Sequence, residues 1–183
     1  MHADAFIAEI SPRIRRYMRR MVGDAAEDAT QEALLRIARG LPEFRGDAAP
    51  STWAWRVATN TALDWLRSRA ARPEATHEDA DAPSALPDRA PSVEEQAISN
   101  EMSDCILALV CGLPDRYRCV ILLREYEGLS QAETAEAMDE SEGNVKVLLH
   151  RARARLKEAM ERYCVFYRGD LNQLLCDRRQ EED

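Results

Sequence analysis

An all-α protein of two small helical domains joined by a flexible acidic linker is what this sequence predicts, on three observations. Glycine and proline are sparse, at 7 and 8 among 183 residues, while Ala, Leu, Arg and Glu dominate. Apolar residues recur at helical spacing on both sides of a central gap. The gap itself, PEATHEDADAPSALPDRAP, carries four prolines and several acids with almost no periodic apolar residue, too little to offset the entropy of ordering it. The reading is therefore a three-to-four-helix bundle over residues 1–72, a linker over 73–91, a second helical domain over 92–162 and an extension over 163–183.

From Ala3 to about Arg69 the pattern gives three helices, broken at Gly23-Asp24 and from Gly40 to Pro50. Asp24, with Glu27 three residues on, suits the start of the second helix as a cap. After the linker, Ser92 and Glu95 in the run SVEE form a capping box for a helix reaching Cys111, and another helix runs from Leu113-Pro114-Asp115 to near Gly128. Ser130 and Glu133 make a further capping box, opening a helix of about two turns with Ala132, Ala135 and Met138 inward. A break at Asp139 to Ser141 follows. Ser141 then caps a long helix in which Val145, Leu148, Leu149, Ala152, Leu156 and Ala159 form one buried stripe. The terminal YCVFYRGDLNQLLCDRRQEED reads as an amphipathic helix with inert thiols, the alternative being that Cys164 and Cys176, with Asp177 or His150, bind a metal or sense redox state.

Charge is distributed unevenly. The net charge of −8 argues against nucleic acid until it is located: residues 74–104 hold nine acids against one base, and the flanking segments balance. Between Gly143 and Lys157 there are five cations, Lys146, Arg151, Arg153, Arg155 and Lys157, and no acid. Two short helices joined by a tight turn, the second cationic on its outer face, fit the major groove of DNA. Asn144, Lys146, Val147, His150 and Arg151 are the side chains expected at base edges or nearby phosphates.

Other classes recede. No run approaches the roughly 20 apolar residues that cross a bilayer, and the N-terminus carries acids where a secretion signal is basic, so a cytoplasmic protein without membrane insertion is expected. Five cysteines, Cys105, Cys111, Cys119, Cys164 and Cys176, lack CxxC spacing, which favours reduced thiols and neither a disulfide framework nor a metal site. His2, His77 and His150 lie in unrelated contexts, and neither a glycine-rich phosphate loop nor a paired-carboxylate site is evident. No enzyme and no cofactor is expected.

The run LPDRYRCVILLREYEGLSQAETAEAMDESEGNVKVLLHRARARLK resembles the promoter-binding C-terminal domain of extracytoplasmic-function sigma factors. DATQEALLRIARGLPEFRGDAAPSTWAWRVATNTALDWLRSRAAR is similar to the N-terminal domain of the same group, and the two together cover most of the chain. The resemblance implies a dissociable subunit that binds core RNA polymerase, reads two promoter elements and assists strand opening, held in check by an anti-sigma factor. The competing reading from the helix-turn-helix alone is a dimeric operator-binding regulator.

The resemblance also distributes roles. Asp28, Gln31, Glu32, Leu35 and Arg39 lie at i, i+3, i+4, i+7 and i+11 on the second helix, where polymerase docks in the family. Arg56, Asn60, Leu63 and Arg67 stripe the third helix with Asp64 beside them, where the minus-ten element is read. The loop before it, with Phe44, Arg45, Gly46 and Asp47, is where a flipped nontemplate base is captured. Arg124 matches a position contacting the upstream, minus-thirty-five element, along with the recognition-helix residues already named. The aromatic Trp53 is expected in the core, and Trp55 either in the core or stacked on a base. Arg13, Arg15, Arg16, Arg19 and Arg20 make the first helix basic, for phosphate contact or for solubility.

Overall fold

The computed structural model describes residues 3–44, 46, 49–71, 105–168 and 174–178. The expected linker and the cap at Ser92 lie outside the described residues. Helices occupy Ala3–Val22 (α1), Ala26–Gly40 (α2), Pro50–Ala70 (α3), residues 105–111 (α4), Asp115–Ile121 (α5), Gln131–Met138 (α6) and Glu142–Tyr163 (α7). The two helical regions read on either side of the linker are thus both present. One compact unit comprises Met1–Thr76 with Pro114–Ala152, and a second comprises His77–Leu113 with Arg153–Asp183. α1, α2, α3, α5 and α6 therefore share the first unit, which α7 enters at its N-terminal end.

α1 forms because Ile10, Ile14, Tyr17, Met18 and Met21 fall on one stripe, and all five are buried. α2 turns inward a row of small residues, Ala26, Ala29, Thr30 and Ala33, ending at Ile37, which lets it approach α1 and α3 closely. Asp24 does not cap it: the residue lies in a 3₁₀ turn over Gly23–Ala25, Ala25 takes the cap position, and no side chain bonds there. The start of α2 is instead set by Gly23, whose φ of +60° a side-chain-bearing residue seldom adopts.

Pro50 opens α3, where its missing N–H costs nothing. The two tryptophans divide the work. Trp55 is the core residue, 1% exposed and edge-on to Tyr17 at 5.4 Å between ring centres. Trp53, expected in the core, is half-buried and lies against Phe44 and the end of α2. A Cβ at Gly40 would sit 2.7 Å from its ring, so only glycine permits that approach.

α5 carries a consecutive buried run, Cys119 to Leu123, and widens into a π turn over Leu122–Tyr126. Its place in the unit is fixed by polar contacts as well as packing. The Tyr17 hydroxyl, fully buried, shares hydrogen bonds with Thr59 Oγ1 of α3 at 3.2 Å and Cys119 Sγ of α5 at 3.3 Å. Just beyond, the Glu127 carboxylate is 1% exposed, accepts from Arg13 Nε at 3.1 Å, and lies 3.9 Å from Arg16 Nε. Arg13 also donates to the Glu127 carbonyl at 2.9 Å and lies over the Trp55 ring.

In the second unit the terminal segment is a two-stranded antiparallel hairpin, Cys164–Arg168 (β1) with Leu174–Arg178 (β2), not the expected helix. The helical spacing of Leu171, Leu174 and Leu175 is overridden by pairing: Val165, Phe166 and Tyr167 are residue types that favour strands, and they lie opposite Asp177, Cys176 and Leu175 across the ladder.

Burial pushes the Cys119 thiol up from 9.0 to about 11 and raises the Tyr17 hydroxyl well above 10.0. Both folded values lie above the unfolded ones, so the stability they contribute is complete below pH 9 and is lost as pH rises. Urea unfolding at pH 8, 9 and 10 should show a falling midpoint, with a shallower fall in Cys119→Ala; a flat wild-type profile contradicts the assignment.

Candidate functional site

The helix-turn-helix is built from local signals. Ser130 Oγ accepts from the Glu133 backbone N–H at 3.2 Å, and Glu133 Oε2 accepts from the Ser130 N–H at 2.8 Å, the reciprocal box read from the sequence. α6 buries Thr134, Ala135, Ala137 and Met138, whereas Ala132, expected inward, is exposed. The stripe was displaced because α6 packs on α3 as well as within its own motif. Asp139 ends α6 in the left-handed conformation at φ 54°, a geometry that Asp tolerates better than most residues. Ser141 then caps α7 by accepting from the Asn144 N–H at 3.2 Å. Gln131 Nε2 donates to the Glu142 carbonyl at 3.2 Å and braces the starts of α6 and α7 together.

On α7, Val145 and Ala152 are buried. At 100° per residue, Lys146, His150, Val147, Arg151 and Asn144 occupy one continuous arc facing away from them, and all five are exposed. An exposed valine among cations and an amide is suited to the thymine methyl, which the major groove presents beside hydrogen-bonding edges. Asn144 is not idle, since its Nδ2 donates to Glu140 Oε2 at 2.6 Å. Arg124 is partly buried and its Nη1 donates to the Leu129 carbonyl, bracing the turn before α6.

The α2 stripe faces outward as expected. Asp28, Gln31, Leu35 and Arg39 are exposed, opposite buried Ala29, Ala33 and Ile37, and Leu35 at 54% is an apolar side chain in water. Glu32 departs from the pattern, being held by the Trp65 indole N–H at 2.7 Å and by Arg36. Its carboxylate is thus aimed by α3, a contact that sequence spacing within α2 does not reveal.

On α3, Arg56, Asp64 and Arg67 are exposed and Asn60 is partly so. Three of these already have partners: Arg56 pairs with Asp139 of the helix-turn-helix turn at 2.9 Å, and Asp64 lies between Arg67 at 3.2 Å and Arg36 at 3.5 Å. In the preceding loop Phe44 leans on Trp53, and Gly46 adopts φ +82°. Arg45 and Asp47 lie outside the described residues. The basic residues of α1 are turned partly to internal use. Arg13 and Arg16 meet Glu127, Arg15 lies 3.8 Å from Glu27, and Arg20 is stacked over Tyr126. Glu127 is the key residue that sequence alone does not single out, because it stands in the charged run Arg124-Glu125-Tyr126-Glu127 and looks like any solvated acid there. Among the described residues no group of three His, Cys, Asp or Glu could hold a metal ion, and no helix is long and apolar enough to cross a membrane.

Comparison with known proteins places both regions. Residues 6–72 match the model for sigma-70 region 2 and residues 103–156 that for sigma-70 region 4. The RNA polymerase sigma-H factor of Pseudomonas aeruginosa is 34% identical over 166 residues, covering 86% of each chain. The ECF RNA polymerase sigma-E factor of Escherichia coli is 36% identical over 132 residues, 69% of each chain. Among solved structures, the sigma factor RpoE of Bartonella quintana, crystallised with the anti-sigma factor NepR, has the same fold, with a TM-score of 0.68 at 19% identity over 86% of this chain and 96% of that one.

Removing the Ser130 hydroxyl leaves the α6 N-terminus uncapped, and Ser130→Ala should cost about 1 kcal/mol in denaturant unfolding. The bond from Ser130 also holds the Glu133 carboxyl below its ordinary 4.5. That contribution is present above the unfolded value and lost as pH falls through the folded one, so the gap between wild type and Glu133→Gln should narrow in acid. A gap that widens in acid contradicts the cap.

Proposed function

This chain belongs to the extracytoplasmic-function sigma factors of the sigma-70 family, and from that premise we propose how its surfaces share the work of promoter recognition. As a sigma factor it confers promoter specificity on core RNA polymerase and performs no covalent chemistry of its own. The outward face of α2, Asp28, Gln31, Leu35 and Arg39 with Glu32 braced at its edge, docks on the polymerase. The outer arc of α7 reads the upstream element in the major groove. Arg56, Asn60, Asp64 and Arg67, together with the loop residues Phe44, Arg45, Gly46 and Asp47, receive the minus-ten element and the base drawn from its nontemplate strand. Arg124 supports the upstream contact from behind, through the turn that it braces.

One observation carries this reading. Leu35 and Val147 are large apolar side chains left in water, at 54% and 46% exposure, and each sits within a stripe of polar groups of the matching region. Apolar exposure ringed by polar groups marks a surface made to be covered. The dimeric-regulator alternative gives the α2 stripe no role.

The packing of α3 on α6 within one unit has a consequence for this mechanism. The two promoter elements lie roughly 25 base pairs apart, or about 85 Å at about 3.4 Å per pair. Helices in direct contact cannot reach both, so α3 and α6 must part when polymerase binds, exchanging the Arg56–Asp139 pair for contacts to DNA. Masking of the same surfaces by an anti-sigma factor would use that mobility in the opposite sense.

Added to core polymerase, the protein should yield transcripts from discrete start sites, and their sequencing defines the promoter; polymerase binding without promoter-selective transcripts would sink the reading. Leu35→Asp is expected to weaken core binding at least about tenfold, the size of an interface hot spot, without lowering the melting temperature. Asn60→Ala should impair transcription from duplex promoters while a pre-melted template restores it, and equal losses on both templates would remove Asn60 from strand opening. Fluorophores introduced at Arg69 and His150 as unnatural amino acids should lose energy transfer when core polymerase is added, whereas unchanged transfer would mean that the unit stays closed.

A further inference from the structure

The hairpin brings together two thiols that lie 59 residues apart in sequence. Cys105, in α4, and Cys164, the first residue of β1, have their sulfurs 3.9 Å apart within the second unit. Cys164 is 2% exposed, while Cys105 is partly open to solvent. We propose that Cys105 and Cys164 are an oxidisable dithiol that hydrogen peroxide converts to an intrachain disulfide.

The step balances without any further reagent. The Cys105 sulfur, the accessible member, attacks one peroxide oxygen; the O–O bond breaks, sulfenic acid forms on Cys105 and one water leaves. The Cys164 sulfur then attacks the Cys105 sulfur, displacing the hydroxyl as a second water and closing the S–S bond. Two thiols lose two electrons and two protons to one peroxide. Sulfurs already at 3.9 Å need to approach by about 1.9 Å to reach the roughly 2.05 Å of a disulfide, a distance within reach of side-chain rotation.

The contrast with Cys119 sharpens the assignment. That thiol is fully buried, hydrogen-bonded to Tyr17 and pushed up to about 11 by its burial, so it is neither accessible nor ionised at neutral pH. A disulfide between Cys105 and Cys164 would close a loop containing all of α5, α6 and α7. It would fasten the terminal hairpin to α4 and bracket the helix-turn-helix at both ends. Constraining so long a loop raises resistance to unfolding.

The test uses the full-length protein, reduced, freed of reductant and treated with a small excess of hydrogen peroxide. Mass mapping should find Cys105 linked to Cys164 with the loss of two hydrogens, two fewer titratable thiols, Cys119 unaltered, and full reversal by dithiothreitol. The oxidised form should melt at higher temperature than the reduced one. Cys105→Ser and Cys164→Ser should each abolish the linkage; Cys105→Ala serves if a serine disturbs the fold, with circular dichroism checking that the helices persist. A predominant link to Cys111 or Cys176, an intermolecular dimer, or a terminal sulfinic acid on Cys105 would overturn the proposal. So would one equivalent of zinc in the purified protein released by a thiol reagent, since the cysteines would then be metal ligands.

Discussion

A tyrosine hydroxyl buried among three helices commits those helices to one another, because a polar group withdrawn from water must find partners or cost of the order of 1–3 kcal/mol. Tyr17 meets that demand with one partner from α3, Thr59, and one from α5, Cys119, while its ring rests edge-on against Trp55. None of the four can move without exposing another. The same corner of the unit is closed by Arg13, which spans from the face of Trp55 to the buried carboxylate of Glu127. Breaking such a pair from one side leaves a charge stranded, and that is strongly destabilising even where the intact pair contributes little.

That corner also joins the two matched regions: Glu127 and Cys119 lie on the segment leading into the helix-turn-helix, and Tyr17, Thr59 and Trp55 on the bundle that matches sigma-70 region 2. The junction combines buried apolar residues of α5 and α6 with a few buried polar groups and one exposed ion pair, Arg56–Asp139. Exposed pairs of this kind contribute little and are screened by salt.

Much of the candidate site was legible because its determinants are local. Capping boxes, the turn at Asp139 and the amphipathic spacing of α7 are short-range rules, and the Ser130–Glu133 box and the Ser141 cap formed where they were read. Exposure of the α2 stripe followed from the buried Ala29, Ala33 and Ile37 opposite it. What local rules missed involves partners far along the chain. Glu32 is claimed by Trp65, Arg124 by the Leu129 carbonyl and the α1 arginines by Glu127. From sequence, Glu32 reads as a polymerase-facing group, Arg124 as a DNA-facing one and the α1 arginines as phosphate-facing or solvated.

The sequence by itself determined the helical class, the helix-turn-helix with its cationic outer face and the outward stripe on α2, since each depends on periodicity and capping within a few residues. Only the tertiary structure decided which tryptophan is core, that Ala132 faces out, that the terminal segment pairs as a hairpin, and that Cys105 meets Cys164. Those outcomes are set by which surfaces are brought into contact. A ring fits where a neighbour is glycine, as Trp53 does against Gly40, and a thiol finds its partner only when a hairpin carries it back. No spacing rule within one element contains that information.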